Sequence, residues 1–345
     1  MSEPHPQEPG HRSRFGGFWT DRLDAAERLR ARHAAGAIDD AQRRLLEQWN
    51  EQGFVVLERA VPEAAIDEFN ADIERVWESG HPRIYTDYYE NGERFTIPIE
   101  PRHRAIHLKV IDVYPHIASS RPVMFAEPVL AFLRLLFERD PMAFQSLYFR
   151  LGSMQSMHQD TAYVWVEPPM EFVGCWVALE DVQPDSGELE YYVGSHRLDE
   201  FLWDGAHKWM PAGSSDHQRY LDSLHEQATR RGLARVRFRP RKGDVLVWNA
   251  DLVHGGAQQV APGVTRKSLV THFCPVDRQP AYFAFAKHSG KIRDASGGYY
   301  CFAYRWTPDA DEVQPAAYAT ADPGAPAPRR PASRLRRLWD RITSP

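Results

Sequence analysis

His158 and Asp160 lie two residues apart in Met157-His158-Gln159-Asp160, and a lone histidine, His254, follows Asp160 by 94 residues in Leu252-Val253-His254-Gly255-Gly256. Successive side chains of a strand point to opposite faces, so a spacing of two puts His158 and Asp160 on one side of an extended segment. The stretch before His254 reads as a second strand. If the three side chains share one ligand, the fold must lay these distant stretches side by side, a stronger constraint than any local propensity. Two imidazoles and one carboxylate form the facial set that holds non-heme Fe(II) and leaves coordination positions open. The same donors accept zinc or manganese, so the triad alone does not choose the metal.

What narrows the choice lies downstream. Arg266 follows His254 by 12 residues and opens the β-like run Arg266-Lys267-Ser268-Leu269-Val270-Thr271-His272-Phe273. A guanidinium projecting from a strand beside a metal can clamp a carboxylate with two parallel hydrogen bonds. Ser268 shares its face and could add a hydroxyl; Thr265 and Lys267 are the alternatives for the clamp. A metal triad plus a carboxylate clamp is what an iron enzyme using 2-oxoglutarate and O2 needs. Taken singly, each piece also has a plain reading as a core histidine, a surface aspartate or a solvated arginine. Their joint order favours the chemistry.

The surrounding pattern predicts a mainly β fold with flanking helices. Short apolar stretches at 143–151, 162–166, 172–179, 190–193, 235–238, 245–248 and 267–273, separated by turn signals such as Lys242-Gly243-Asp244, suit a jelly roll better than βαβ units. Ahead of them, a helical pattern runs from Thr20 to about Ala35. Asp39 is a candidate cap for a second helix that stops at Gly53, and Pro62 precedes a third with Ile66, Phe69, Ile73 and Val76 on one face. A further helix is expected over 128–138. Residues 80–104 read as a loop or ragged strands, and 105–111 as a short half-buried strand.

In domain terms, residues 1–15 are expected to be disordered and 16–312 to form one domain. A lid-like insertion at 198–234 is read either as a substrate lid or as a helical packing element. Residues 313–332 form a Pro/Ala-rich linker. Residues 333–345 form a basic amphipathic tail, with Leu335, Leu338, Trp339 and Ile342 opposite four arginines, suited to weak contact with a membrane surface or partner, or to docking on its own domain.

Charge and cysteine usage exclude several classes. A net charge of −5 and a pI near 6.3 give no basic field for nucleic acid. The three cysteines show no paired spacing, which favours a reducing compartment over a disulfide scaffold or a zinc ribbon. No apolar run is long enough to span a membrane, and the cytoplasm is the expected location.

Read together, His158-Gln159-Asp160, Cys175-Trp176-Val177-Ala178-Leu179-Glu180-Asp181, Ser186-Gly187-Glu188-Leu189, Gly194-Ser195-His196-Arg197, His254-Gly255-Gly256 and Arg266-Lys267-Ser268 resemble the phytanoyl-CoA dioxygenase family over roughly residues 50–280. The resemblance implies a double-stranded β-helix (a cupin-like jelly roll) and an Fe(II)- and 2-oxoglutarate-dependent oxygenase. It implies that His158, Asp160 and His254 bind the metal and carry the catalysis, that Arg266 and Ser268 bind the cosubstrate, that Trp176 lies against it, that Lys109 reaches it and that Leu147 walls it. Two departures stand out. Gly256 occupies a position where the family often has serine, and the His-to-Arg spacing is about one residue longer than usual.

Gln159, Tyr148, Arg150, Tyr163 and Trp165 are candidates for contact with a small-molecule substrate, though each could equally finish a strand face. His107, His196 and His272 read as structural hydrogen-bonding residues. The expected activity is hydroxylation of an unactivated C–H bond of a small-molecule or carrier- or lipid-linked metabolite, releasing succinate and CO2. The alternatives are a non-catalytic metal-containing β-barrel binding protein and a same-fold oxygenase with a desaturation, cyclisation or halogenation outcome.

Overall fold

Hydrophobic alternation on the central strands divides the molecule into two layers of packing. The computed structural model describes residues 10–90, 93–164, 166–211, 213–280, 287–306 and 313–315. Its strands are β1 (Phe54–Leu57), β2 (His81–Glu90), β3 (Glu93–Ile99), β4 (Lys109–Ile111), β5 (Pro141–Phe149) and β6 (Val166–Glu167). They continue with β7 (Val173–Ala178), β8 (Leu189–Tyr192), β9 (Arg235–Phe238), β10 (Val245–Asn249), β11 (His254–Gly256) and β12 (Ser268–Pro275), after which only short strands follow. The large sheet runs β1-β10-β7-β12-β5-β4-β2-β3, and a small sheet runs β11-β8-β9. This is the jelly roll expected, with helices added on one side.

On β10, Val245 and Val247 face one way and Leu246 and Trp248 the other; on β7, Cys175 and Val177 oppose Trp176 and Ala178. One set packs against helices α2 (Asp40–Gln52), α3 (Glu63–Ser79) and α5 (Glu127–Phe137), following α1 (Ala25–Ala34) and the short α4 (Ser120–Met124) in the chain. The other set fills the space between the sheets. Period two therefore decides which residues can reach the barrel interior.

The capping chemistry read from the sequence is present in α2. Asp39 accepts from the Gln42 amide at 2.8 Å and Gln42 returns a contact to the Asp39 amide at 3.0 Å. Gly53 ends the helix at φ 81°, a conformation that favours glycine.

Four expectations need correction. The first helix starts at Ala25 and not at Thr20, since Trp19–Asp21 form a separate 3-10 turn and Leu23 between them is exposed. Residues 80–104 hold a regular hairpin, β2–β3, whose strands pair from Tyr85↔Pro98 to Glu90↔Glu93. Residues 162–164 are not in a strand: Asp160–Ala162 turn as a 3-10 segment, and pairing begins with Val166–Glu167. Of the leader expected to be disordered, residues 1–9 lie outside the described residues, but 10–15 are folded. Phe15 is buried, and Gly10 and Arg12 bond the backbone of Leu23 and Asp21. The linker after residue 315, the basic tail and Trp165 also lie outside the described residues.

The 198–234 insertion centres on α6 (His217–Arg230), whose Tyr220, Leu224 and Ala228 pack with Trp203 and Met210 beside the barrel mouth.

Candidate active site

The backbone brings the two histidines together. His158 and His254 form an antiparallel bridge, with amide-to-carbonyl distances of 2.8 and 2.9 Å, and their ring centroids are 4.6 Å apart. Asp160 opens the turn that follows. It reaches the same point from the turn and not, as the spacing suggested, from a continuous strand. Asp160 Oδ1 is 3.6 Å from Nε2 of each histidine, and the three potential ligand atoms lie within 4.8 Å of one another. All three residues are buried.

The shell around them fixes which atoms face inward. His158 Nδ1 is 2.7 Å from the Ser156 carbonyl and His254 Nδ1 is 2.9 Å from the Leu252 carbonyl. A carbonyl can only accept, so both Nδ1 atoms carry the proton and both Nε2 atoms present lone pairs. The Trp248 indole N–H donates to Asp160 Oδ2 at 2.8 Å, and His272 Nε2 approaches the same oxygen at 3.2 Å. Oδ1 is thereby left for a metal. Burial alone would raise the Asp160 pKa, but the imidazoles of His254 and His272 beside it hold it well below the usual carboxylate range. Burial lowers His254 to about 4, against the pull of Asp160. A deprotonated carboxylate with two neutral imidazoles is the state a divalent ion requires.

Gln155 Nε2 stands 3.2 Å from His158 Nε2, donating to the lone pair a metal would take. Its amide has to turn away when the ion enters.

Arg266 lies in the barrel interior, 2% exposed. Its Nε donates to the Gly187 carbonyl at 3.0 Å and Nη1 to Ser268 Oγ at 2.7 Å, while the Phe149 and Trp176 rings flank it. Among the described residues it has no ion-pair partner, and burial lowers its pKa to about 10. An unpaired buried cation is costly and marks a place prepared for an anion. Trp176 Nε1, on the same small cavity, is a second buried donor with no partner among the described residues. The alternatives for the clamp fall away: Lys267 turns outward to Glu74 at 3.3 Å, and Thr265 is outside the cavity lining.

Two connected cavities meet at the triad. The larger, about 450 Å³, is walled by Leu147, Lys109, Gln145, Tyr163, His217 and the Asp87–Arg94 pair, with His158 and Asp160 on its floor. The smaller, about 50 Å³, holds the triad, Trp176, Trp248 and Arg266. Seven residues line both, among them Leu147, Ser153, Gln155 and Asp160, whereas every residue that lines only the smaller one is buried.

Three of the substrate candidates are not at this site. Tyr148 alternates with Leu147 on β5 and so points into the helical core, 5.9 Å from Phe69. Arg150 lines a separate groove with Arg104 and faces Glu74. Gln159, between the two metal-facing residues, turns away and donates to the Asp251 carbonyl at 2.8 Å. Tyr163 does line the large cavity, with its ring 5.3 Å from His158 and its hydroxyl 2.6 Å from His217 Nε2.

Several residues the sequence did not single out take part. Trp248 was legible in principle, since it sits two residues from Leu246 on β10, and His272, read from the sequence as a hydrogen-bonding residue, approaches Asp160. Gln155 lies in an irregular loop with no such signal. Asp87 and Arg94 form a buried bidentate pair, at 2.7 and 2.9 Å, in a hairpin read as a loop or ragged strands.

A family model described as Phytanoyl-CoA dioxygenase (PhyH) matches residues 49–268. The chain belongs to the phytanoyl-CoA dioxygenase family. Human peroxisomal phytanoyl-CoA dioxygenase is 23% identical to this family member over 244 residues, 66% of this chain and 67% of the relative. The phytanoyl-CoA dioxygenase domain-containing protein 1 of Rattus norvegicus is 24% identical over 227 residues, 61% of this chain and 75% of its own.

Among solved structures, the epimerase SnoN in complex with Fe3+, alpha ketoglutarate and nogalamycin RO superposes with a TM-score of 0.53 at 17% identity, covering 81% of this chain and 97% of that one. The carbocyclase SnoK from nogalamycin biosynthesis gives a TM-score of 0.53 at 15% identity, covering 77% and 98%. These two likenesses show the shared fold. The family match together with the site meets the expectation of a 2-oxoglutarate-dependent, non-heme iron oxygenase at that level. No helix among the described residues is long and apolar enough to cross a membrane.

Proposed function

We propose that the protein is a hydroxylase that uses Fe(II), 2-oxoglutarate and O2 to oxidise an unactivated C–H bond of a small-molecule or carrier- or lipid-linked metabolite in the cytoplasm, releasing succinate and CO2. One observation carries this reading: the metal-facing atoms of His158, Asp160 and His254 open onto a substrate-sized cavity, while an unpaired guanidinium waits at the end of a smaller annex.

His158, Asp160 and His254 would hold the iron, and Arg266 with Ser268 the cosubstrate's far carboxylate. Iron and cosubstrate together supply the oxidising power for the C–H bond. The chain's own residues orient and exclude. Trp248 and His272 keep the Asp160 carboxylate turned so that one oxygen faces inward. Trp176 and Phe149 shield Arg266 from water, which strengthens its grip on a carboxylate. Asp87, Arg94, Lys109, Tyr163 and His217 give the large cavity polar walls, suiting a substrate with hydrogen-bonding or charged groups near the oxidised carbon.

Asp160 favours hydroxylation over halogenation, because halide binding at iron would need the carboxylate's place. A binding protein with a structural metal would have no use for a buried unpaired arginine, so Arg266 favours the enzyme.

The test is succinate release from 2-oxoglutarate with Fe(II), ascorbate and oxygen across a metabolite library, with mass analysis of the products. A product heavier by one oxygen atom supports hydroxylation. A product lighter by two hydrogens, or an isomer of the substrate, replaces it with desaturation, ring closure or epimerisation. Absence of cosubstrate binding by the iron-loaded protein removes the oxygenase reading.

A further inference from the structure

The loop 152–155 is seated on the barrel by three glycines. A Cβ on Gly152 would meet Gly187 Cα and O at 2.8 Å, so the two backbones are in direct contact. A Cβ on Gly256 would meet Ser153 Oγ at 2.3 Å and the Met154 amide nitrogen at 2.8 Å, and one on Gly255 would meet the Gln155 carbonyl at 2.7 Å. His107 Nδ1 holds the loop from its other side, 2.6 Å from the Gly152 carbonyl. The loop therefore cannot lift or slide without breaking packed backbone contacts.

This seating places one hydroxyl in a telling position. His254 and Gly256 share a face of β11, because side chains repeat every second residue. The place where a residue-256 side chain would stand on that interior face is taken by Ser153 Oγ. Moving from His254 to Gly256 also moves away from the metal ligands and towards the clamp. Gly256 pairs with Leu189 of β8, and the Gly187 carbonyl two residues before Leu189 holds Arg266 Nε. Ser153 lines both cavities. Among the described residues its oxygen accepts only a long contact from the Gln155 amide, 3.4 Å, so its proton is free to be donated.

We propose that Ser153 is a cosubstrate-positioning residue, its hydroxyl donating to the far carboxylate of 2-oxoglutarate alongside Arg266 and Ser268. The loop thus supplies from across the cavity a donor that the glycine at position 256 cannot. This inference rests on the proposed use of 2-oxoglutarate.

The experiment measures equilibrium binding to the Mn(II)-loaded full chain without oxygen, using 2-oxoglutarate and oxalate as probes. Oxalate can chelate the metal but has no far carboxylate. Ser153→Ala should weaken 2-oxoglutarate about ten-fold, the size expected for one lost hydrogen bond to a charged group. Oxalate and Mn(II) affinities should stay within about two-fold by the same reasoning, since neither contact is touched. Ser153→Thr, which keeps the hydroxyl, should recover most of the loss. Unchanged 2-oxoglutarate affinity in Ser153→Ala overturns the proposal. So does a parallel fall for both probes, which would mean the loop merely supports the metal site. If the unaltered protein binds oxalate but not 2-oxoglutarate, the cosubstrate reading itself fails, and the Ser153 role with it.

Discussion

The Trp248 indole donates to Asp160 Oδ2 at 2.8 Å, which leaves the other carboxylate oxygen facing the two histidines. Residues that hold a ligand in this way orient it and tune metal affinity. Trp248→Phe removes the donor and retains the ring. It should lower Fe(II) or Mn(II) affinity about 10- to 100-fold, read by equilibrium titration under argon. Unaltered affinity would show that His272 alone orients the carboxylate.

Gly174 gives a remote check on the same contact. Its missing side chain is what lets the Trp248 ring lie across β7, since a Cβ there would come within 2.2 Å of the ring. Gly174→Ala must displace the indole, and overpacking of this kind costs about 1–3 kcal/mol. Both the melting temperature and the metal affinity should fall. A variant with normal metal binding would show that the indole position is tolerant.

Asp160→Ala removes the only anionic ligand. Iron content and cosubstrate-driven succinate release should drop below detection in metal analysis and turnover assays. Full turnover in this variant would take Asp160 out of the metal set.

Arg266→Met separates function from stability. The guanidinium is buried without a contact ion pair among the described residues, Glu180 and Glu188 acting on it only from beyond contact, so the apoprotein should lose little stability, within about 1 kcal/mol by denaturant titration, or gain some. The affinity for 2-oxoglutarate should fall at least about 100-fold, because the partner of its carboxylate is gone. Metal affinity should hold. A large stability loss with intact cosubstrate binding would make Arg266 structural.

The pH dependence follows from His254. Burial lowers its folded pKa to about 4, below the ordinary 6.5, so the folded state needs the neutral ring. This contribution is complete above pH 6.5 and declines as pH falls towards 4, by up to about 1.4 kcal/mol per pH unit. The metal-free protein should lose stability on acidification from pH 6.5, and His254→Gln should flatten that slope. Between pH 8 and 6.5 His254 has no proton to shed, so it should add no pH dependence to metal affinity there.

The sequence showed the parts of the fold that depend on local rules. Asp39 and Gly53 bracket α2 because capping chemistry is local, and Arg235–Phe238 is a strand over the span its alternation marks. The two histidines and Asp160 were legible as a group because their residue types and spacing suit one ion. Which face of a strand looks inward was harder. Leu147 and Tyr148 are both apolar enough for a core, and only the packing of α3 and α5 on one side of β5 decides that Leu147 meets the cavity. The β2–β3 hairpin was hidden because Asp87 and Arg94, polar when read alone, neutralise each other in the interior. Gln155 and Ser153 act from an irregular loop, where no periodicity points to a side chain's direction.

The annex that ends at Arg266 has no solvent wall of its own; its route to water runs through the large cavity. On the proposed function this shape would order binding: the keto acid would enter first, the molecule to be oxidised would close the path behind it, and succinate would depart only after the oxidised product had cleared the way.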